Sequence, residues 1–167
     1  WGMNLTTEQE LIELLKNKKE KYYRIAFTYV KNRDDALDIV HNAVVKALQK
    51  MHTLKNREYL ETWFYRILIN ESVTFIRKNK NILFFDELSN FNPTVEQIDE
   101  EQHITLYSAI DKLSPKLKTV IIFRFFEELK LEEIAEITAT NLSTVKARLY
   151  KALKLLKIEL EDVDYDR

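Results

Sequence analysis

The stretch that decides the fold is LEEIAEITATNLSTVKARLYKALKLL, residues 131–156. Its apolar residues recur every three or four positions on both sides of a short polar break, which predicts two amphipathic helices joined by a tight turn. The residues expected to point inward are Leu131, Ile134, Ala135 and Ile137 in the first helix, and Val145, Leu149, Ala152 and Leu156 in the second. This spacing is typical of a helix-turn-helix.

The turn TATN, residues 138–141, departs from the usual pattern at one position. Helix-turn-helix turns often place Gly four residues after a small residue such as Ala135, because Gly permits a positive φ. This chain has Ala139 there. A left-handed Ala139 would carry about 1 kcal/mol of strain, unless Asn141 takes that conformation instead. Either Ser143 or Thr144 is predicted to cap the second helix.

The second helix of this pair has a basic outer face, although the whole chain has a formal net charge of -1. Lysine and arginine on such a face suit phosphate contacts, and residues near the helix start can reach base edges in a major groove. Two packed helices with an ordinary solvated face would also fit. The candidate DNA-binding residues here are Ser143, Thr144, Lys146, Arg148, Lys151 and Lys154.

The composition favours an all-α protein. One Gly and two Pro in 167 residues leave little turn chemistry for hairpins. The absence of Cys excludes disulfides, thiolate metal sites and cysteine nucleophiles, and it fits a reducing cytoplasm. No apolar run approaches the roughly 20 residues needed to span a bilayer, and no signal peptide is expected. Residues 1–2, Trp-Gly before Met3, resemble a cloning scar.

Four helical stretches are predicted in the N-terminal part. Thr7 and Glu10 fit a capping box that opens the first stretch, and a second runs through residues 22–30. Asp35 is the predicted cap of the third, and after a loop a long fourth helix covers residues 58–78. The apolar positions of the third helix are Leu37, Val40, Val44, Ala47 and Leu48.

An acidic segment follows the long helix. Residues 84–101 include six Asp or Glu and no Lys or Arg, and Asn and Pro interrupt any helical pattern. A partly extended linker is therefore predicted over residues 81–103, either as a solvated tether or as a segment that docks on a partner.

A second group of helices is predicted after the linker. Leu106, Ile110 and Leu113 share one face of a first helix. Ser114 and Pro115 predict the start of the next, with Ser as the cap and Pro at the first helical position. This helix is predicted to run through Leu117, Val120, Ile121 and Phe125.

The predicted fold class is therefore all-α, with two small helical domains joined by an acidic flexible linker. The domains cover residues 5–80 and 104–160, and residues 161–167 form an acidic tail.

Three stretches in this order resemble a known family. They are DALDIVHNAVVKAL (35–48), WFYRILINESVTFIRK (63–78) and LKLEEIAEITATNLSTVKARLYKALKLLK (129–157). They are similar to region 2.2, regions 2.3–2.4 and region 4.2 of bacterial RNA polymerase sigma factors of the extracytoplasmic-function (group IV) type, in the sigma-70 superfamily. The resemblance covers residues 11–160, and RFFEELKLEEIAEIT (124–138) is most similar to the sigma-V-like branch.

The resemblance implies a role for each domain. The first domain, a region 2 helical bundle, would bind core polymerase and the −10 element, and the second, region 4, would bind the −35 element through its helix-turn-helix. Because core polymerase presents that helix to the promoter, a strongly basic protein is not needed. The loop at 51–59 would receive a base flipped from the −10 element. The residues implied at the −10 element are Asn56, Arg57, Trp63, Arg66, Asn70, Arg77 and Lys78. Trp63 and Phe64 would also fit the protein core.

The resemblance also implies the partners. The third predicted helix would bind the clamp helices of the polymerase β′ subunit through Asp38, His41, Asn42, Val45, Lys46 and Gln49, although the family usually has Gln-Glu where this chain has His41-Asn42. Other implied partners are the β subunit, promoter DNA and a membrane-bound anti-sigma factor. The protein itself would be cytoplasmic and not a membrane protein, held at the membrane by that factor, and would act in envelope stress.

Other classes of function fit less of the sequence. A stand-alone helix-turn-helix regulator would leave residues 35–78 without a role, and an adaptor would bind only another protein. No Gly-rich phosphate loop or carboxylate–histidine constellation supports an enzyme. No cofactor and no metal ion are expected, because none of the three His residues has zinc-site spacing.

Overall fold

The computed structural model describes residues 5–88 and 106–165, and every regular element in those two ranges is helical. The all-α prediction is confirmed. The N-terminal helices are α1 (Thr7–Val30), α2 (Arg33–Lys50) and α3 (Leu60–Leu88). The C-terminal helices are α4 (Leu106–Asp111), α5 (Pro115–Ile121), α6 (Leu131–Thr138) and α7 (Leu142–Tyr165). Helix α3 extends into the segment predicted as linker, and the rest of that linker lies outside the described residues.

Helix α1 is continuous, so the prediction of two separate helical stretches in this part of the chain was wrong. Its capping box also lies one residue earlier than predicted. The hydroxyl of Thr6 accepts the backbone N–H of Gln9 at 3.2 Å, and the Gln9 side chain accepts the N–H of Thr6 at 2.9 Å. The helix ends at Lys31, whose φ is 55° and whose N–H donates to the Phe27 carbonyl at 2.8 Å.

Helix α2 begins one turn before the predicted cap, because Asn32 rather than Asp35 provides it. The Asn32 side-chain oxygen accepts the N–H of Asp35 at 3.0 Å. Its buried face is made mostly of small residues, namely Ala36, Ile39, Ala43 and Ala47, and it packs along α1.

The apolar positions of α2 do not all lie on its buried face. Ala47 is buried, but Leu37 and Leu48 are 47% and 43% exposed. The reason is steric: small side chains let α2 approach α1 closely, and the helix turns its bulkier leucines away from that contact. Val40 and Val44 lie at the edge, half-buried.

Aromatic side chains join α1 to α3. The ring of Tyr22 lies 4.7 Å from that of Phe64 and 5.6 Å from that of Tyr65, measured between centroids, in tilted and edge-to-face arrangements. All three are buried. Phe64 therefore belongs to the core.

The C-terminal helices have their own core, in which α5 and α4 pack against α7. It consists of Ala109, Ile110, Leu113, Leu117, Ile121, Ala152 and Leu156, with Leu149 packed against them. The predicted start of α5 is confirmed, with Ser114 as the cap residue and Pro115 at the start, although the Ser114 side chain makes no capping hydrogen bond. Of the three apolar residues predicted to share one face of the first helix after the linker, Ile110 and Leu113 are buried and Leu106 is exposed.

Helix α5 widens at its end into a π-helical turn, Ile122–Phe126. The inserted residue rotates the side chains that follow, so Phe123 is buried while Phe125 is 54% exposed. Phe125 therefore does not continue the apolar face that Leu117 and Ile121 begin.

Candidate nucleic-acid interface

The helix-turn-helix turn is closed by backbone hydrogen bonds at the end of α6. The N–H of Ala139 donates to the Glu136 carbonyl at 3.2 Å, and the N–H of Thr140 donates to the Ala135 carbonyl at 3.0 Å. This pair of bonds satisfies the last carbonyls of the helix and needs a left-handed residue between them. Ala139 has a φ of 52°, so it is this residue, and not Asn141, that takes the strained conformation.

Asn141 has a different role, because it caps α7. Its side-chain oxygen accepts the backbone N–H of Thr144 at 2.8 Å. The prediction that Ser143 or Thr144 caps this helix was therefore wrong. The Ser143 side chain is instead exposed at the start of α7.

Both helices of the motif turn their predicted apolar faces inward. Ile134, Ala135 and Ile137 of α6 are buried, as are Val145 and Ala152 of α7. At the start of α6, the carboxylate of Glu133 accepts the backbone N–H of Lys130 at 2.7 Å. The motif predicted from the sequence is therefore formed.

The opposite side of α7 carries the predicted DNA-binding residues. By helical spacing Ser143, Lys151 and Lys154 share the face opposite the core, and all three are exposed. Exposed Lys146 flanks this face on one side, and half-buried Thr144 and Arg148 flank it on the other. Tyr150, which is 73% exposed on the same face, was not among the predicted site residues.

Helix α3 presents a second polar face. Arg66, Asn70 and Arg77 are exposed and share one side of the helix, with half-buried Trp63 one turn earlier. Lys78 is also exposed, at the edge of that face. Tyr65 is buried among the aromatic rings of the core, so its face is not open to a base in this structure.

The loop before α3 is held in place by the two residues predicted to contact a flipped base. The Asn56 side-chain oxygen accepts the N–H of Glu58 at 3.0 Å. The Arg57 guanidinium donates to the Leu5 carbonyl at 2.8 Å and lies 3.6 Å from the Glu10 carboxylate. The two Arg57 contacts were not predicted, because they join positions far apart in the sequence.

The outer face of α2 contains most of the predicted polymerase-binding residues. Asp38, His41, Asn42, Val45, Lys46 and Gln49 are all exposed. Lys46 differs from the others because its ammonium group pairs with the carboxylate of Glu71 on α3. Exposed Leu37 and Leu48 lie on the same side of α2. We call this set with the two leucines the α2 surface.

Charged groups also surround the aromatic contacts between α1 and α3. Burial raises the pKa of both Tyr22 and Tyr65, and the neighbouring Glu61 carboxylate, which hydrogen-bonds Tyr65, raises it further. Burial lowers the pKa of Lys21, opposed by Glu61, and its ammonium group lies 5.8 Å from the Tyr65 ring centroid. Among the described residues, the buried hydroxyl of Tyr22 has no hydrogen-bond partner.

Two kinds of feature are absent from the part of the chain that the structure describes. Within it, no group of His, Cys, Asp or Glu side chains is arranged to hold a metal ion. Within it, too, no helix combines the length and the apolar character needed to cross a membrane.

Comparison with known families defines the class of this protein. A model described as Sigma-70 region 2 matches residues 14–82, and a model described as Sigma-70, region 4 matches residues 103–156. The first match includes α2 and most of α3, and the second includes the helix-turn-helix. The chain therefore belongs to the sigma-70 type transcription initiation factors, a non-enzymatic class of proteins.

Individual relatives narrow the class. The chain is 46% identical over 159 residues to RNA polymerase sigma factor SigV of Bacillus subtilis (strain 168), a match that covers 95% of this chain and 96% of that protein. It is 28% identical to the ECF RNA polymerase sigma factor SigW of the same organism, covering 87% and 86% of the two chains. This chain belongs to the extracytoplasmic-function family of RNA polymerase sigma factors.

A solved structure agrees on the fold. It is the sigma factor RpoE in complex with the anti-sigma factor NepR from Bartonella quintana, which matches with a TM-score of 0.72 at 24% identity over 93% of this chain and 98% of that one.

Proposed function

We propose that this chain binds core RNA polymerase through the α2 surface and directs initiation at promoters whose −10 and −35 elements contact α3 and α7. One observation carries the proposal: a chain with a formal net charge of -1 keeps a basic, exposed face on the second helix of a helix-turn-helix. A single helix-turn-helix buries too little surface for tight specific binding alone. Core polymerase would supply the missing surface.

The α2 surface has the composition of a protein-binding site. Exposed Leu37, Val45 and Leu48 provide an apolar centre, and Asp38 and Gln49 lie beside them as polar neighbours. Apolar residues rimmed by polar ones are typical of protein interfaces. The partner proposed here is the pair of clamp helices of the β′ subunit.

The exposed face of α3 is proposed to contact the −10 element. Arg66, Arg77 and Lys78 would bind phosphates, and Asn70 can hydrogen-bond a base edge. Trp63 is half-buried, so only part of its ring is open for stacking. Asn56 and Arg57 are proposed to hold the flipped base after their present contacts rearrange.

Regulation by an anti-sigma factor belongs to the proposal as well. The neighbouring structure contains a sigma factor bound to the anti-sigma factor NepR. We expect this chain to have an anti-sigma partner, bound to the membrane, that holds it inactive in the cytoplasm until envelope stress. Exposed Tyr107 and Phe126, whose ring centroids lie 6.2 Å apart, offer apolar area for such a partner or for the β subunit.

The experiment that tests the function is run-off transcription by core polymerase on a promoter library, with and without this protein, followed by sequencing of the transcript starts. We expect new starts only when both are present. The double variant Leu37→Lys/Leu48→Lys should lose binding to core polymerase, whereas Leu153→Lys, an equally exposed leucine on α7, should retain it. Tight, sequence-specific DNA binding by the isolated chain at physiological salt would instead favour a stand-alone regulator.

A further inference from the structure

One exposed face of α1 has no role in the function proposed above. Ile12, Lys16, Lys19, Tyr23 and Phe27 recur at intervals of three or four residues, so they share one side of the helix. That side is turned away from the residues that α1 buries against the rest of the N-terminal helices, such as Leu11, Tyr22 and Tyr29. We call these five residues the α1 face.

Two aromatic rings lie together on the α1 face. The ring centroids of Tyr23 and Phe27 are 6.0 Å apart, with an angle of 33° between their planes. Phe27 is 36% exposed and Tyr23 is half-buried. The exposed part of the Phe27 ring, with the tilted Tyr23 ring beside it, offers apolar aromatic area that another planar group can cover.

The charge of this part of α1 is strongly positive. Residues 16–30 include five Lys or Arg and one acidic residue, Glu20. Two of these cations are engaged inside the fold, because Lys18 pairs with Glu61 and Lys21 lies over the Tyr65 ring. Lys16, Lys19 and Arg24 remain exposed beside the aromatic pair.

We propose that the α1 face binds single-stranded nucleic acid. Lys16, Lys19 and Arg24 would contact successive backbone phosphates, and a base would stack on Phe27 and the edge of Tyr23. A groove or face that combines cations with accessible aromatic rings suits single strands, because every base has a π-face and stacking needs an unpaired base. A duplex offers phosphates only, so it would bind this face less tightly.

This site is separate from the α3 and α7 residues proposed for the promoter elements. It can be tested with the protein alone, so failure here would leave the proposed sigma function untouched. The proposed ligand, single-stranded nucleic acid, has phosphate charges at regular spacing along a flexible chain and unpaired planar bases. An anionic vesicle supplies the charge without the planar groups and is therefore an arm of the test.

The measurement is fluorescence anisotropy of a labelled 20-nucleotide oligo-dT with the full chain at low salt. We expect Lys16→Glu/Lys19→Glu to weaken binding at least about tenfold and to lower the salt slope by about 1.4, the value for two lost phosphate contacts on a single strand. Lys116→Glu/Lys130→Glu makes the same change in net charge at exposed positions elsewhere and should have little effect. Glu20→Lys should tighten binding several-fold.

Stacking is tested separately from charge. Phe27→Leu keeps the apolar bulk and removes the ring, and it should weaken oligo-dT binding by about tenfold, within the range measured for one base–aromatic stack. Circular dichroism checks that the variant folds. Photocrosslinking with 5-iodouracil in the oligonucleotide should label a peptide that contains Tyr23 or Phe27.

Three outcomes would overturn the proposal. The first is equal loss of binding in the Lys16/Lys19 variant and in its charge-matched control. The second is crosslinking confined to α3 or α7. The third is a loss of duplex DNA binding, or of anionic vesicle binding, in the Lys16/Lys19 variant that is as large as its loss of oligo-dT binding.

Discussion

The guanidinium of Arg57 donates a hydrogen bond to the backbone carbonyl of Leu5, with 2.8 Å between nitrogen and oxygen. This bond ties the loop before α3 to the residues that precede α1. The same guanidinium lies 3.6 Å from the Glu10 carboxylate, so one side chain makes both contacts. A residue proposed to hold a flipped base is therefore occupied within the protein itself.

Releasing Arg57 should change promoter use more than stability. The pair with Glu10 is exposed, and exposed ion pairs contribute about 0–1 kcal/mol, so Glu10→Gln should hardly move the melting temperature. If Arg57 contacts the −10 element, Arg57→Ala should reduce transcription while Glu10→Gln maintains or raises it. Run-off transcription and thermal melts of both variants make the comparison. Equal transcription by wild type and Arg57→Ala would limit this arginine to a structural role.

The strained turn of the helix-turn-helix should be improved by glycine. Ala139 has a φ of 52°, a conformation that Gly adopts without a clash, so Ala139→Gly should stabilise the fold by about 1 kcal/mol. Ala147→Gly is the matched control, since Ala147 lies exposed within α7. Gly inside a helix should destabilise by about 1 kcal/mol. Urea unfolding of both variants should give changes of opposite sign, and changes of the same sign would contradict the assigned turn.

Two buried tyrosines should respond differently to loss of their hydroxyl groups. The Tyr22 hydroxyl has no hydrogen-bond partner among the described residues, whereas that of Tyr65 bonds to Glu61. Tyr22→Phe should therefore be neutral or stabilising, and Tyr65→Phe should destabilise by about 1–3 kcal/mol. Denaturant unfolding of the two variants measures both effects. A larger loss for Tyr22→Phe than for Tyr65→Phe would show that the Tyr22 hydroxyl has a partner.

The same tyrosines predict how stability depends on pH. Burial raises the pKa of Tyr22 and Tyr65 above the usual 10.0. Above that pH the unfolded chain loses phenolic protons that the folded chain keeps. The stability that these two tyrosines contribute should therefore be fully present below about pH 10 and be lost above it, by at most about 1.4 kcal/mol per pH unit for each tyrosine. Urea unfolding between pH 8 and 11 measures the slope, which Tyr22→Phe should reduce.

Helix α7 should separate DNA contacts from core contacts. Lys151 is exposed and Arg148 half-buried on the outer side, while Leu149 packs on the core. Lys151→Ala and Arg148→Ala should weaken use of the −35 element and leave the fold intact, whereas Leu149→Ala should destabilise by about 2–5 kcal/mol. Transcription from −35 variants at two salt concentrations, with thermal melts, tests this. We expect Lys151 to behave as a phosphate contact, with a salt slope lower by about one.

The helix-turn-helix could be predicted almost completely from the sequence, because its apolar spacing is regular on both helices. Ile134, Val145 and Ala152 are buried as the spacing requires. The cap was the part that could not be predicted, since Asn141, Ser143 and Thr144 are all good capping residues and only the backbone path selects Asn141.

Helix α2 and the end of α5 show why other parts were missed. The apolar pattern of α2 favours its leucines as the buried residues. Close packing instead buries the alanines beside them. The π-helical turn after Ile121 inserts one residue into the helix, and the regular helical period does not predict this insertion. Phe125 therefore lies on the outside. The contact between Arg57 and Glu10 depends on how the chain returns to α1, and local sequence carries no sign of that path.

The small residues that α2 buries have a consequence for the concentration at which this protein stays soluble. Because Ala36, Ala43 and Ala47 fill the contact with α1, the larger Leu37 and Leu48 stay in water whenever no other protein covers them. Such area promotes self-association as concentration rises. The free protein should therefore self-associate at high concentration. We expect its solubility to increase when a partner that binds the α2 surface is produced in equimolar amount.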